Sequence, residues 1–463
     1  MTKTKKELPV NKNDKYWLTI EDMTHDGRGV GKVDFYPIFI ENAIIGEEVE
    51  VKILKTTKKF AYGKVLQWKK KSPNRVEDID SNLIRTGIAP LAHMTYEAQL
   101  LFKQQQVEKA VTRIGGFESI EVKATKGMET PFKYRNKAQI PVRKINERLE
   151  LGFFRRNSHD LIPIEDFYIQ EEAIDEALIA IKPILEQFNV KPYDEEKQTG
   201  HLRNIVIRKG HYTNELMIVL VTKKKKLFKI GEICKAIVEA VPNVTSIMQS
   251  IHTENNNVIL GKEFVRLYGK EYIEDQLLGN TYQISASSFY QINTTQAEVL
   301  YKEAISRAEL TKDDVVIDAY CGIGTIGLSL AKDVKKVYGV EIVEEAIEDA
   351  RKNAEINDID NVEFKVGKAE VIFDKWLKEE VQPTVIVVDP PRKGLTESFI
   401  KASVEMNPEK IVYVSCDPAT FARDLKLYNE LGYTPDYVQP VDMFPQTSHV
   451  ETVVLMSKVD PKK

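Results

Sequence analysis

The part of the chain from residue 281 onward alternates short apolar runs with helix-prone segments. Five such runs occur in order, each followed by helical periodicity: VVIDAY, KKVYGVEI, VEFKVG, TVIVVD and KIVYVS. Repeated strand–helix alternation predicts a mainly parallel, doubly wound sheet. Runs such as VIVVD lack polar alternation, which indicates a sheet covered by helices on both faces. We therefore predict an α/β, Rossmann-like domain over residues 281–463.

The length and composition allow further domains ahead of this one. A chain of 463 residues typically divides into two to four domains, and its 42% hydrophobic content is ordinary for a globular protein. It has no apolar run of about 18 residues and no apolar leader, so we expect neither a membrane span nor secretion. Three widely separated cysteines predict a reducing, cytoplasmic location.

Residues 10–69 form short alternating runs with glycine-containing turns, a pattern that predicts a small OB-like β-barrel. Residues 51–75 contain eight Lys, one Arg and no acidic residue, although the whole chain has a net charge of −4. Phe60, Tyr62 and Trp68 are interleaved with these charges, which favours contact with single-stranded nucleic acid over a merely solvated face. Residues 75–280 are predicted to form a central α+β domain that also binds RNA.

A glycine-rich turn follows the first strand of the C-terminal domain. Gly322, Gly324 and Gly327 have the G-x-G-x-x-G spacing, and Glu341 ends the next strand, where its carboxylate could bind ribose hydroxyls. This spacing is compatible both with hydride transfer from NAD and with methyl transfer. Asp389, in the segment VVDPPRKG, separates the two, because a stiff proline loop presenting a carboxylate suits a flat base. The loop therefore favours S-adenosylmethionine as the cofactor.

Methylation of uracil at C5 requires a nucleophile and a base. Addition of a thiolate to C6 makes C5 nucleophilic, and a base must later remove the C5 proton. Cys416 follows the strand KIVYVS and precedes a helix-prone segment whose N-terminus would lower the pKa of the thiol. Glu451 is the candidate base, and His449 is interpreted as its hydrogen-bonded positioner. Cys234 is interpreted as a core residue and Cys321 as packing beneath the glycine turn.

The segments DAYCGIGTIG, VVDPPRKG, VSCDPATFARDL and HVETVVLM, in this order, resemble the RNA 5-methyluridine methyltransferase family. The N-terminal barrel resembles a TRAM domain, and SSFYQIN, KYRNKAQ and GFFRR extend the resemblance over most of the chain. The resemblance implies that Cys416 is the nucleophile and Glu451 the base. The residues expected to bind S-adenosyl-L-methionine are Gln291, Tyr320, Gly322, Gly324, Glu341 and Asp389.

The chain departs from the family at an iron–sulfur cluster that many relatives carry. Residues 86–89 (TGIA) take the place of a Cys-Gly-Gly-Cys-like stretch, and Phe167 takes the place of a later cysteine. Because two of its three cysteines lie in the C-terminal domain, the chain cannot supply four cysteine ligands. We therefore expect no iron–sulfur cluster and no other metal, as in the Gram-positive ribosomal enzymes.

These features predict a monomer that methylates C5 of a uridine in 23S rRNA, without membrane contact. The target would have to leave its base stack to reach Cys416. A tRNA uridine is an alternative substrate. Methylation of an exocyclic amine held by Asp389 is a second alternative and needs no cysteine. NAD-linked redox chemistry and non-catalytic RNA binding are the others, suggested by the glycine spacing and by the basic segment.

Overall fold

The computed structural model describes residues 8–156 and 158–459. Its first six strands are β1 (Lys15–Thr19), β2 (Asp22–Met23), β3 (Gly29–Val33), β4 (Tyr36–Glu41), β5 (Glu48–Thr56) and β6 (Ala61–Lys70). They form one sheet in the order β1-β5-β6-β4-β3-β2, in which β4 runs parallel to β6. A methyl group on Gly31 of β3 would lie 3.1 Å from Cβ of Leu18 in β1. Because β1 and β3 are not neighbours in the strand order, this close approach means that the sheet curls around its own core, as the OB-like prediction requires.

Two helices follow the barrel, α1 (Ser81–Thr86) and α2 (Tyr96–Arg113). The hydroxyl of Thr95 accepts a hydrogen bond from the amide of Ala98 and so caps the start of α2. Val107 and Val111 of α2 belong to a core cluster of the C-terminal domain. On the barrel side, Phe102 packs in a cluster with Met23. Helix α2 therefore bridges the barrel and the C-terminal domain, although its residues lie within the range predicted for the central domain.

The central elements are β7 (Lys137–Ile145), β8 (Arg148–Phe154), β9 (Leu161–Pro163), α3 (Glu172–Gln187), β10 (Leu202–Lys209), β11 (Leu216–Thr222), α4 (Ile230–Ala240), β12 (Val244–Ile251) and β13 (Glu263–Gly269). Their sheet has the order β13-β12-β11-β10-β7-β8-β9, and α3 and α4 pack on one of its faces. The period-two alternation of side chains directs Val206 of β10 to the opposite face, where it joins the core of the C-terminal domain.

A hairpin of β14 (Tyr272–Leu277) and β15 (Asn280–Ser285) spans residue 281, where the C-terminal domain is predicted to begin. Helix α5 (Thr294–Ala308) follows, capped by the side chain of Asn293. The hairpin contributes Ile273, Leu277, Tyr282 and Ile284 to the same core cluster as α5. The three domain ranges deduced from the sequence stay predictions, because the hairpin crosses the predicted boundary at residue 281 and α2 packs against two domains.

The C-terminal sheet comprises β16 (Val315–Ala319), β17 (Lys336–Glu341), β18 (Val362–Val366), β19 (Val385–Val388), β20 (Lys410–Ser415), β21 (Tyr433–Val441) and β22 (Glu451–Lys458). Between them lie α6 (Thr325–Ala331), α7 (Glu344–Ile356), α8 (Ala369–Lys378), α9 (Glu397–Glu405) and α10 (Pro418–Glu430). The strand order is β18-β17-β16-β19-β20-β22-β21, parallel from β18 to β20, with β22 antiparallel to both of its neighbours. All four residues of β19 are buried, so the predicted doubly covered parallel sheet is confirmed.

Within residues 8–156 and 158–459, no helix combines the length and the apolar character needed to cross a bilayer.

Candidate active site

Cys416 lies directly after β20, at the carboxyl edge of the sheet, and is partly buried. The next residue, Asp417, caps α10: its carboxylate accepts hydrogen bonds from the amides of Ala419 and Thr420, both at 3.0 Å. Burial, the Glu451 carboxylate and the Asp389 carboxylate together raise the pKa of the Cys416 thiol to about 12. The predicted lowering of this pKa by the helix N-terminus is wrong for the free protein, because Asp417 already occupies the free amides and two acidic groups lie nearby.

Glu451 begins β22, the antiparallel neighbour of β20. The last paired residues of the two strands are Ser415 and Thr452, and Thr452 Oγ1 donates to the Ser415 carbonyl at 3.2 Å. Cys416 and Glu451 are the next residues on either side, so the register places nucleophile and base candidates opposite one another. Only 4% of Glu451 is exposed, and burial, followed by the charge of Asp389, raises its pKa well above the ordinary value.

Asp389 and Arg392 lie on the proline loop that follows β19. Burial raises the pKa of Asp389 to about 7, although the side chain keeps slight contact with solvent. The exposed guanidinium of Arg392 acts in the opposite direction and lowers the pKa of both Cys416 and Glu451. The motif VVDPPRKG was noted in the sequence for Asp389, and the role of its arginine was missed. The site thus concentrates three groups that hold protons around one cation.

The glycine turn after β16 has the backbone geometry of a ligand cradle. Gly322 and Gly324 have φ values of 54° and 85°, in the left-handed region that favours glycine. A side chain at Gly322 would meet no atom within 4 Å, so the turn faces open space. Below it, Asp318 Oδ2 accepts the Gly327 amide at 2.7 Å, while the buried Oδ1 has no partner among the described residues. These features fit a nucleoside-type cofactor above the turn.

The other predicted cofactor residues surround this turn. Tyr320 has a φ of 65°, and its ring lies 5.3 Å from that of Phe399. The Glu341 carboxylate accepts the amides of Ile342 and Val343, at 2.7 and 3.0 Å, where β17 ends. This leaves the second carboxylate oxygen of Glu341 free for a ligand hydroxyl.

Gln291 approaches the turn from the segment before α5. Its side-chain amide lies 3.4 Å from the Tyr301 hydroxyl, which lies 3.4 Å from Thr325 Oγ1 at the start of α6. Burial, followed by the charge of Asp389, raises the pKa of Tyr301. Gln291, the glycine turn and the proline loop therefore converge on one region.

A cavity of about 1210 Å³ lies in front of Cys416 and is lined by all three parts of the chain. The C-terminal domain contributes Cys416, Arg392 and His449, and the barrel contributes His25 among others. None of the predicted cofactor residues lines this cavity. Its central-domain wall includes Arg135 and Gln139 of KYRNKAQ and Arg156 of GFFRR, two segments that carry the family resemblance. The sequence did not predict that they meet residues of other strands at one cavity.

Helix α2 holds the segment that leads to Glu451, another feature that sequence reasoning missed. Lys103, fully buried in α2, forms an ion pair with the buried Asp442. Gln99 and Gln446 exchange two hydrogen bonds of 3.0 Å. We call these contacts between α2 and the segment before β22 the clamp. Separating a buried ion pair leaves an uncompensated charge, so the clamp holds the segment before β22 against α2.

His449 lies between this clamp and the cavity. The residue is exposed to the cavity, and partial burial of its ring with the charges of Arg392 and Lys103 lowers its pKa to about 4. These effects favour the neutral imidazole. Its ring centre lies 6.0 Å from that of Phe444. The ring forms no hydrogen bond to any described residue, so its role as a hydrogen-bonded positioner stays a prediction.

The three cysteines lie in different surroundings. Cys234 lies in the central core, where burial raises its pKa to about 11. Cys321 is buried beneath the glycine turn, with its sulfur 3.1 Å from where a methyl group on Gly339 would lie. In residues 8–156 and 158–459, no three His, Cys, Asp or Glu side chains are grouped to hold a metal ion.

The segments that would hold an iron–sulfur cluster are mostly apolar, and the hydroxyl of Thr86 donates to the Asn82 carbonyl at 2.6 Å. Ile88, Ala89 and Phe167 belong to one buried cluster, and the Phe167 ring lies 5.4 Å from that of Phe153. We expect protein purified without oxygen to contain less than about one-tenth of an iron atom per chain and no absorption band near 400 nm. Iron analysis with an ultraviolet–visible spectrum tests this, and stoichiometric iron would contradict it.

Replacing Asp389 with asparagine should increase stability at alkaline pH and abolish cofactor binding. Because burial raises the pKa of Asp389 to about 7, the folded protein favours the neutral carboxyl. Its contribution to the free energy of unfolding is therefore full below about pH 4 and is lost as the pH rises to 7. At pH 8 the variant should therefore be more stable than the parent by about 2 kcal/mol, and at pH 4 equally stable. Denaturant unfolding at both pH values measures the difference; a variant less stable at pH 8 would contradict the assignment.

Comparison with known proteins identifies the family of the chain. Residues 95–459 match the family model described as tRNA (Uracil-5-)-methyltransferase, and residues 9–66 match that of the TRAM domain. An uncharacterized RNA methyltransferase of Streptococcus pyogenes serotype M18 is 53% identical over 456 residues, which cover 98% of this chain and 99% of the relative. One from Enterococcus faecalis is 52% identical over 453 residues, with coverage of 98% and 99%.

A solved structure extends the match to the whole fold. The Pyrococcus abyssi tRNA (uracil-54, C5)-methyltransferase, in complex with S-adenosyl-L-homocysteine, superimposes with a TM-score of 0.75. Its sequence is 31% identical, and the match covers 95% of this chain and 100% of that chain. With the family model matching more than half of its length, the chain belongs to the tRNA (uracil-5-)-methyltransferase family and is an RNA uracil-5-methyltransferase with an N-terminal TRAM domain.

Proposed function

We propose that this enzyme methylates C5 of a uridine in 23S rRNA through a covalent bond between Cys416 and C6 of the base. The observation that carries the proposal is the placement of Cys416 and Glu451 on facing ends of β20 and β22. Carbon methylation needs both groups, whereas methylation of an amine needs neither.

The cofactor is S-adenosyl-L-methionine. Gln291, Tyr320, Glu341 and Asp389, together with the open glycine turn at Gly322 and Gly324, are the residues that we propose to hold it. When bound, it supplies the electrophilic methyl group that C5 of the activated base accepts.

The proposed mechanism assigns one task to each acidic group. The Cys416 thiolate adds to C6, and the electron pair of the C5–C6 double bond moves to C5. After C5 is methylated, the Glu451 carboxylate removes the remaining C5 proton, the double bond forms again, and the thiolate leaves. A high pKa makes Glu451 a strong base once it is ionised. The guanidinium of Arg392 favours the thiolate and so supports the first step.

The cavity supports a substrate whose base is flipped out of its stack. A paired uridine hides C6, so the target must enter alone. A cavity of about 1210 Å³ exceeds the size of one nucleotide and leaves room for flanking nucleotides. Arg135, Arg156 and Arg392 line it and could contact phosphates.

Transfer RNA is the second candidate substrate, because the family description and the Pyrococcus abyssi enzyme both name tRNA. We favour 23S rRNA from the combination of a TRAM domain with cluster-free residues at 86–89 and 167. The test is covalent capture with transcripts containing 5-fluorouridine, because fluorine at C5 cannot be removed as a proton. An adduct with 23S rRNA fragments supports the proposal, one with tRNA alone supports the second candidate, and none with either favours amine methylation.

The lysines of the basic segment, residues 51–75, should differ in their effect on RNA binding. Lys69 and Lys71 form ion pairs with Glu48 and Glu77, whereas Lys58 and Lys59 are exposed in the turn between β5 and β6. Replacing Lys58 and Lys59 with alanine should flatten the salt dependence of RNA binding by about one logarithmic unit per lost phosphate contact.

The matched control replaces Lys69 and Lys71, which should change the slope less because their charges are already compensated. Filter binding over a range of salt concentrations measures both slopes. Cofactor affinity should be unchanged in either variant. Equal, unaltered slopes would mean that the basic segment is only a solvated face.

A further inference from the structure

One wall of the active-site cavity carries amide side chains whose hydrogen-bonding groups are unused. The wall is part of the face of β7 and β10 that points away from α3 and α4, where Asn204 pairs with Pro141 and Val206 with Gln139. Alternation directs Ala138 and Ile140 into the core below and leaves Gln139 and Asn204 facing the cavity. Gln170, held beside Arg135 by a backbone bridge, lines the same cavity. We call Gln139, Gln170 and Asn204 the amide wall.

Gln170 is exceptional among the buried amides of the described chain. It is 2% exposed, and its Oε1 has no hydrogen-bond partner in residues 8–156 and 158–459. The other buried amides in these ranges all make side-chain hydrogen bonds, such as Gln249 to Thr222 and to the Lys225 carbonyl. The side chains of Gln139 and Asn204 likewise form no hydrogen bond to any described residue. Buried polar groups are almost always paired, so an unpaired one in a residue that lines a cavity points to a ligand as its missing partner.

The chemistry of the amide wall matches a nucleobase better than a phosphate. An amide presents one donor and one acceptor group side by side, which complements the edge of a base and carries no charge. The neighbouring guanidinium of Arg135 donates through Nε to the Lys137 carbonyl at 3.2 Å and keeps its terminal nitrogens for the ligand. The target uracil must lie at Cys416 on the C-terminal domain, so the central-domain wall is available to its neighbours.

We propose that Gln139, Gln170 and Asn204 bind the edges of unpaired nucleobases that flank the target uridine and so select the RNA sequence. The inference rests on the proposed function, because it takes RNA as the occupant of the cavity. A site built to hydrogen-bond its substrate discriminates strongly against one that lacks the matching group, since the polar side chains then stay unpaired. Sequence selection would then depend on the central domain, and chemistry on the C-terminal domain.

The test uses full-length protein and single-stranded RNAs of about ten nucleotides with one central uridine. At each flanking position, the base is replaced in turn by the other three bases and by an abasic residue. Equilibrium binding is measured by fluorescence anisotropy in the presence of S-adenosyl-L-homocysteine, for the parent and for Gln170→Met, Gln139→Met and Asn204→Leu. We expect at least one flanking position at which base removal weakens binding to the parent about tenfold or more. Gln170→Met should abolish that dependence.

Gln249→Met is the matched control, because this buried amide has its partners within the protein. It should lower the unfolding temperature and leave base selection unchanged. Gln170→Met should leave the unfolding temperature equal or higher, since it removes an unpaired polar group. If Gln170 had a wholly structural role, Gln170→Met would lower the unfolding temperature and leave base selection unchanged.

Three results would overturn the proposal: parent binding that is insensitive to abasic substitution at every flanking position, unchanged selection in Gln170→Met, or a change confined to discrimination at the central base. Absence of measurable binding to all of these RNAs would count against it as well. Covalent capture with 5-fluorouridine is independent of these readouts, so failure of the proposed chemistry and failure of the amide wall are distinguishable.

Discussion

Replacing Cys416 with alanine is expected to abolish methylation of uridine, lowering turnover by about 10⁴-fold or more. Without the thiolate, C5 of uracil is too weak a nucleophile to accept a methyl group. The partly buried Cys416 also has the only thiol of the chain that lines the cavity within the described residues. Transfer of radiolabelled methyl from S-adenosyl-L-methionine to RNA measures turnover, and equilibrium dialysis should find cofactor affinity unchanged.

The control for this variant is Cys234→Ala, which removes a thiol from the central core, away from the cavity. It should reduce stability by about 1 kcal/mol through loss of packing and keep turnover within a few-fold of the parent. If Cys416→Ala retained a tenth of the parent activity, the covalent mechanism would be excluded, and methylation of an amine beside Asp389 would become the better hypothesis.

Replacing Glu451 with glutamine is expected to stop the reaction after methylation and before release. The amide has nearly the same shape but cannot accept the C5 proton, so the bond between Cys416 and C6 persists. RNA containing ordinary uridine should then accumulate as a covalent complex, visible as a retarded band on a denaturing gel. Steady-state turnover should decrease by about 10³-fold or more, while the first methyl transfer is affected much less.

The combination Cys416→Ala with Glu451→Gln provides the control, since no retarded band can form without the thiol. Mass spectrometry of the trapped complex should find a methyl group on the linked base. A Glu451→Gln variant that releases product at the parent rate would show that another group accepts the proton. His449 is a weak alternative, because its pKa is already lowered to about 4.

The tertiary structure adds a physical condition to this mechanism. In the free protein, burial raises the pKa of all three acidic groups at Cys416, Glu451 and Asp389. The Asp389 carboxylate further raises the pKa of Cys416 and Glu451, and the Glu451 carboxylate that of Cys416. The proposed mechanism therefore requires the thiolate to form when the site is occupied. Arg392 is the cation that favours it, and it lies on the same loop as Asp389. The proline loop thus affects both the proposed cofactor site and the nucleophile.

The sequence predicted the C-terminal domain well because its signals are local. Strands such as β19 are short apolar runs, and the glycine turn at Gly322 and Gly324 requires backbone angles that few other residues adopt. Cys416 and Glu451 were also identified from their own segments and from the order of the motifs. Residues whose chemistry depends on the nearest few neighbours along the chain are those that a sequence can identify.

Other features of the site depend on contacts between distant parts of the chain. The direction of the pKa shift at Cys416 was predicted wrongly, since a sequence shows the following helix but not the carboxylates that approach from β19 and β22. The clamp between Lys103 and Asp442 and the unpaired amide of Gln170 likewise join residues from different domains. By itself the sequence determined the parallel sheet and the glycine turn, and it led to the proposed reactive side chains, because these follow from local residue chemistry. Only the tertiary structure decided the direction of the pKa shift at Cys416, the clamp beside Glu451 and the position of the amide wall. Burial and electrostatic fields at these places arise from residues that are far apart in the chain.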